Sequence, residues 1–369
     1  MSAAPQTIAG PLRETPLAAL ARAAAAVSAA YQGAVTPHVF TTLDQEFAAL
    51  ASGAGIYDLG YKSWLQITGS DRLRWLNGMV SNTIQALPEG HWNYSFLLNA
   101  QGRIQGDANV YRTSEELILE TDRSQIARLS AHLDHFIIMD DVELHQLDAS
   151  QTAIGIAGPH APQILSALDI VVPDQGAFTS TSSSGTGFTH VRAYSPIVPR
   201  FEIWLPVTAL AEVWAILKDH GAIPAGVAAI EALRIMEATP LYGVDIHDRH
   251  LAQETGQTRA LNFSKGCYLG QEIVERIRSR ATVHRILRQF SVENAPAALA
   301  PGQTIEISAE GAERNPVGEL SSLAHYNLPA FRGSLALGFI RTDVVERNLP
   351  LTHGAGRIDV LDRPPSLIR

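Results

Sequence analysis

Apolar residues recur at every second position in several short stretches of this chain and at every third or fourth in others. These two periods divide it into strands and helices. Trp64-Leu65-Gln66-Ile67-Thr68-Gly69 reads as a strand closed by glycine, and Ser70-Asp71 opens a helix with Leu73, Trp75, Leu76 and Met79. Residues 94–98 and 104–111 read as two strands around Asn99-Ala100-Gln101-Gly102, a hairpin signal. Further strands are expected at 116–120, 142–147, 152–157 and 201–205, and helices at 43–53, 123–133, 210–218 and 227–237. The alanine-rich run 17–31 predicts a single helix, because Ala and Leu favour that state. Pro5, Pro11 and Pro16 make 1–16 an extended lead-in, and 179–187, rich in Ser, Thr and Gly, predicts a mobile loop.

The pattern changes near residue 281, after which short strands are broken by Pro301-Gly302, Asn315-Pro316 and Gly333. We therefore expect a larger region over 1–280 and a small β-domain over 281–369. Strands and helices mix without βαβ alternation, so the expected class is α+β.

A chain of 369 residues can bury a large core without staples. With 46% hydrophobic and 18% charged residues, disorder is excluded as its main state. The net charge of −9 argues against a globally basic nucleic-acid binder. No apolar run reaches the length of a membrane span, so a soluble protein is expected. The only cysteine, Cys267, excludes an internal disulfide or a Cys-x-x-Cys zinc site and fits a reducing, cytosol-like compartment. His132 with His135, and His247 with His250, are spaced as metal-binding pairs, but no third ligand accompanies either.

Four features carry candidate chemistry. Cys267 is bracketed by Gly266 and Gly270, and Lys265 lies two residues before it; an ammonium there would favour thiolate, while the plainer reading is a buried small hydrophobe. Glu231, Arg234 and Glu237 recur at helical steps, a stripe whose ordinary reading is a solvated face. Asp107 follows the hairpin turn and reads as an acid or base, or as a turn residue. Between 265 and 288 six basic residues meet only Glu272 and Glu275, and Arg276, Arg278 and Arg280 would share one face of a strand and could hold a polyanion.

Lys265-Gly266-Cys267-Tyr268-x-Gly270-Gln271-Glu272 resembles the signature of the YgfZ family, folate-binding proteins of iron–sulfur cluster maintenance built on the fold of the glycine-cleavage T-protein, an aminomethyltransferase. Thr15-Pro16-Leu17 resembles the start of T-proteins, which argues against a cleaved leader. Gly55-Ile56-Tyr57-Asp58, Gly158-Pro159, the segment 231–237 and Leu241-Tyr242-Gly243 are similar to T-protein elements.

The resemblance implies subdomains around a central folate cavity, with a small C-terminal β-barrel domain. It implies tetrahydrofolate or a one-carbon derivative as cofactor, with Asp107, Glu202, Arg234 and Tyr242 at the pocket. Cys267, tuned by Lys265, would be a reactive thiol. The implied partners are iron–sulfur enzymes or their assembly factors, with a tRNA contact, and the implied compartment is the cytoplasm, or the mitochondrial matrix in a eukaryote. The chain departs from T-proteins at Gly106, which replaces the first of two adjacent acids, and at Tyr194-Ser195-Pro196-Ile197, which replaces Tyr-Thr-Gly-Glu. Two functions follow from the resemblance: support of iron–sulfur proteins, and folate-dependent aminomethyl transfer. A third reading is a binding module whose arginines dock tRNA or a partner.

Overall fold

The computed structural model describes residues 12–148, 150–183, 186–280, 283–354 and 356–367. Two mainly antiparallel sheets face each other. The first has five strands, in the order His91–Leu98, Ile104–Arg112, Leu117–Asp122, Lys62–Thr68 and Glu143–Gln146. Its outer face carries Leu65, Ile67, Val110 and Leu119, which pack on Leu76, Leu129 and Leu133 of the helices Arg72–Met79 and Arg123–Asp134. The second has six strands, in the order Phe178–Ser183, Thr186–Arg192, Arg200–Pro206, Gln151–Ala157, Gly55–Asp58 and Ile223–Pro224. Ile56, Ile154, Ile203 and Leu205 turn outward, toward the helices Ala161–Ala167 and Leu210–Asp219.

Because strand side chains alternate, the residues between these positions point inward. There the rings of Trp64, Tyr111 and Trp204 meet edge to face, with centroids 5.6 Å apart for Trp64–Trp204 and 4.6 Å for Tyr111–Trp204. The helix Val227–Met236 joins the same core.

A closed barrel of six strands follows, in the order Arg285–Val292, Arg332–Arg341, Gly318–Asn327, Ile305–Ala309, Leu351–His353 and Gly356–Leu361. It is fastened to the end of the Val227–Met236 helix. Gln289 Nε2 donates to the carbonyls of Ile235 and Met236, and the Tyr326 hydroxyl donates to that of Ala232. The class is α+β, with the small barrel at the C-terminal end. Among the described residues no helix is long and apolar enough to cross a membrane.

Three local expectations are corrected. The helix expected over 17–31 is Pro16–Ala23, and the strand Val27–Tyr31 follows it. Ala25 adopts a positive φ of 59°, and the strand pairs with Ala34–Val39 through a turn in which Gln32 and Gly33 also have positive φ. Distant pairing overrides the helical preference of alanine. Where a loop is expected over 179–187, the strands Phe178–Ser183 and Thr186–Arg192 pair at the sheet edge; residues 184 and 185 lie outside the described residues. The Arg276, Arg278 and Arg280 segment is the helix Gln271–Arg280, not a strand. Alternate residues there turn by roughly 200°, so Arg276 and Arg278 do not share one face. Arg276 pairs with Glu272 at 2.6 Å and Arg278 with Glu275 at 3.5 Å. Pro5, Pro11 and residue 281, where the composition shifts, lie outside the described residues.

Candidate active site

A cleft opens between the inner faces of the two sheets, bordered by the Val227–Met236 helix and the turn after it. With its open mouth counted, about 950 Å³ of space lies free of protein atoms there. Along Ile104–Arg112 the alternation aims Asp107 and Asn109 into the cleft and turns Gly106 to the Arg123–Asp134 helix. A side chain at 106 would begin 2.7 Å from Leu129, so this position faces the helix and not the cleft. Glu120 and Asp122 enter from Leu117–Asp122, and Lys62 stands 3.3 Å from Glu120 and 3.0 Å from Asp122.

Asp107 is a mid-strand residue, not a turn cap. Tyr94 donates its hydroxyl to one carboxylate oxygen at 2.7 Å, and Gln125 Nε2 donates to the other at 2.8 Å. The Asp107 N–H in turn donates to Gln125 Oε1. Burial, then the nearby Asp122 carboxylate, raises the Asp107 pKa. Glu202 enters from the facing sheet and accepts from Trp204 Nε1 at 3.0 Å. Burial and the Glu120 charge push it up to about 8. The cleft thus holds two carboxylates, from opposite walls, displaced toward the neutral acid.

The stripe on the Val227–Met236 helix is not a solvated face, since Arg234 is 5% and Glu237 3% exposed. Arg234 lines the cleft, but its five N–H donors are all engaged. Nε and Nη2 reach the two Glu231 oxygens, both at 2.7 Å, and Nη2 also reaches Ser322 Oγ of the barrel at 2.8 Å. Nη1 reaches Asp245 at 2.7 Å and the Thr239 carbonyl at 3.3 Å. The flanking carboxylates outweigh burial and raise its pKa. Glu237 pairs with Arg200 at 3.4 Å and accepts from Ser195, a residue of the replaced Tyr-Thr-Gly-Glu element. Tyr242 packs away from the cleft among Phe96, Ile104 and Tyr268, and it is Leu241 that lines the wall.

The cysteine motif lies outside this cleft. Lys265 Nζ donates to the carbonyls of Asn77, Val80 and Asn82 at 2.5, 2.6 and 2.7 Å. Burial pulls its ammonium down to about 7, yet three acceptors engage three N–H bonds, which only the charged form has. Those protons are directed at backbone and not at Cys267, which is exposed. Gly270 has φ +83°, and an added Cβ would lie 2.6 Å from the Asn99 carbonyl, so glycine lets the motif seat on the hairpin. Glu272 is exposed in its pair with Arg276, and Gln271 Oε1 accepts from the Tyr268 N–H. Asn82 connects motif and cleft: its carbonyl accepts from Lys265, and its Nδ2 donates to the Arg259 carbonyl at 2.9 Å.

Lys62, Glu120, Asp122, Arg200 and Arg259 line the cleft but were not read from the sequence. Glu120 and Asp122 stand two apart at the end of an apolar strand, the period that puts both on one face. Nothing local marks Arg259.

The family model described as the GCVT N-terminal domain matches residues 17–265, and the chain belongs to that family. It is 25% identical over 304 residues to an aminomethyltransferase of Exiguobacterium sibiricum, covering 80% of this chain and 84% of that one. It is 24% identical over 335 residues to a putative chloroplastic transferase of Arabidopsis thaliana, covering 89% and 75%. The glycine cleavage system aminomethyltransferase T of Bartonella henselae shares the fold, with a TM-score of 0.85 at 19% identity over 96% of this chain and 98% of that one.

Proposed function

We propose that the cleft binds tetrahydrofolate, or a one-carbon derivative of it, and that the chain is a folate-dependent one-carbon transferase of the aminomethyltransferase kind. The observation that carries this reading is Asp107, a buried carboxylate aimed into the cleft and oriented by Tyr94 and Gln125. With Glu202 it offers carboxyl oxygens that, when ionised, accept from the ring N–H and amino donors of a reduced pterin. The Nε of Arg200, buried and without a hydrogen-bond partner among the described residues, leaves a further donor for a ligand. The relatives named aminomethyltransferases support the same reading.

Bound folate would supply a nitrogen able to carry a one-carbon unit. The chain's own part is to hold the ring between two walls, limit water, and keep an exchangeable proton at Asp107, whose raised pKa suits acid–base work. The test is transfer from an aminomethyl-lipoyl carrier protein. Turnover that needs both folate and Asp107 is expected. Folate binding with no turnover would set transfer aside.

A second reading is favoured by Cys267, an exposed thiol in a motif seated outside the cleft. On that reading the folate protein supports iron–sulfur enzymes, or their assembly factors, including those that modify tRNA. One thiol cannot ligate a cluster alone, so a partner must complete the ligation. Rescue of iron–sulfur enzyme activity by wild type, but not by Cys267→Ala, in cells lacking the protein supports this reading. Full rescue by the variant removes it.

A further inference from the structure

Among the described residues four cations line the cleft, and three of them have carboxylate partners. Lys62 pairs with Glu120 and Asp122, Arg200 with Glu237, and Arg234 with Glu231 and Asp245. Arg259 has none among the described residues. Its side chain makes one hydrogen bond, from Nε to Gln257 Oε1 at 3.2 Å. Its guanidinium lies between two rings, with Cζ 4.0 Å from the centroid of Tyr94 and 3.9 Å from that of Tyr194. The Asn82 amide fixes its backbone.

Two aromatic faces hold a guanidinium plane in one orientation and leave its edge donors to face a ligand. A half-buried cation without a counter-charge is incompletely solvated, and a ligand that supplies the charge offsets that cost. Arg234, the arginine that the family resemblance points to, has no donor left to do this. Tyr94, which supports Arg259 with its ring, donates its hydroxyl to Asp107, so the unpaired guanidinium stands one tyrosine ring from that carboxylate.

We infer that Arg259 is the carboxylate receptor of the cleft: its terminal N–H groups bind a planar carboxylate of the ligand beside Asp107. This rests on the folate reading above and adds the anionic group that the ligand presents. Two sources present that chemistry, the glutamyl tail of a folate and an α-amino acid that exchanges a one-carbon unit.

Calorimetric titration of the full chain separates them with three probes: tetrahydrofolate, 6-methyltetrahydropterin, which has no carboxylate, and glycine added to the pterin-loaded protein. Arg259→Gln should bind the pterin as wild type does and lose about tenfold or more in affinity for a carboxylate probe. Loss for tetrahydrofolate names the tail, and loss for glycine names the amino acid. Arg259→Lys, which keeps the charge without the planar fork, should lose affinity for the same probe; it carries the comparison if the Gln variant does not fold. The inference is overturned if both carboxylate probes bind a folded Arg259 variant as tightly as wild type while the pterin still binds. A wild-type protein that binds no pterin overturns the folate reading instead, and this inference with it.

Discussion

Tyr94 donates its hydroxyl proton to Asp107 across 2.7 Å, within one antiparallel pair of strands. The bond orients the carboxylate before any ligand arrives, and the Gln125 amide holds the other oxygen from the helix behind. Tyr94→Phe removes one of these restraints and leaves the ring that supports Arg259. The expected result is weaker pterin binding, by roughly tenfold for one hydrogen bond to a charged group, with Asp107 still present. Calorimetry on the variant checks this, and unchanged affinity would show that the orientation is redundant.

Arg234 ties the Val227–Met236 helix, the turn after it and the barrel into one ionic cluster. Arg234→Ala leaves Glu231 and Asp245 without their shared cation. Breaking such a buried pair costs about 3–5 kcal/mol. Urea unfolding of wild type and variant measures this. Unchanged stability combined with lost folate affinity would make Arg234 a ligand residue and not a clamp.

Glu202 gives the stability a pH dependence of known sign. It titrates at about 8 in the folded chain, against 4.5 for an ordinary glutamate. Between those values the folded state holds the extra proton. The contribution is therefore full below about 4.5 and is lost as pH rises to about 8, at no more than about 1.4 kcal/mol per pH unit. Glu202→Gln should flatten the fall in urea midpoint between pH 5.5 and 7.5. Parallel pH profiles for the two proteins would contradict this account of Glu202.

Cys267 and Lys265, two residues apart, should behave oppositely. Cys267 is exposed, so Cys267→Ala should change unfolding free energy by no more than about 0.5 kcal/mol, and the thiol should react with a disulfide reagent in the native protein. Lys265→Met strips three carbonyls of their donor and should cost about 1.5–3 kcal/mol. Equal effects of the two substitutions on stability would mean that the motif does not divide into an anchor and an exposed thiol.

How far these features could be read from the sequence depended on whether their causes were local. The hairpin around Asn99-Ala100-Gln101-Gly102 and the helix at 227 were legible because turn residues and helical spacing lie within a few positions. The strand Val27–Tyr31 was hidden, because its composition favours helix and its partner comes after a turn at Gln32 and Gly33. The arginines after Glu272 alternate as in a strand, yet their i,i+3 and i,i+4 acids mark a helix. Of the four residues that the family resemblance proposes for the pocket, Asp107, Glu202 and Arg234 line the cleft, and Tyr242 packs outside it. What spacing could not convey is which donors remain available. Arg234 spends all of its own on partners as distant as Ser322, whereas Arg259, which no motif marks, keeps its terminal groups.

The central claim is that the cleft binds a reduced folate through Asp107. Its most direct test is calorimetric titration of tetrahydrofolate into wild type and into Asp107→Asn, with the fold of both checked by circular dichroism. The account predicts a saturable site in wild type and a loss of about tenfold or more in the variant. Equal affinity in the two folded proteins, or no binding by wild type, would contradict it.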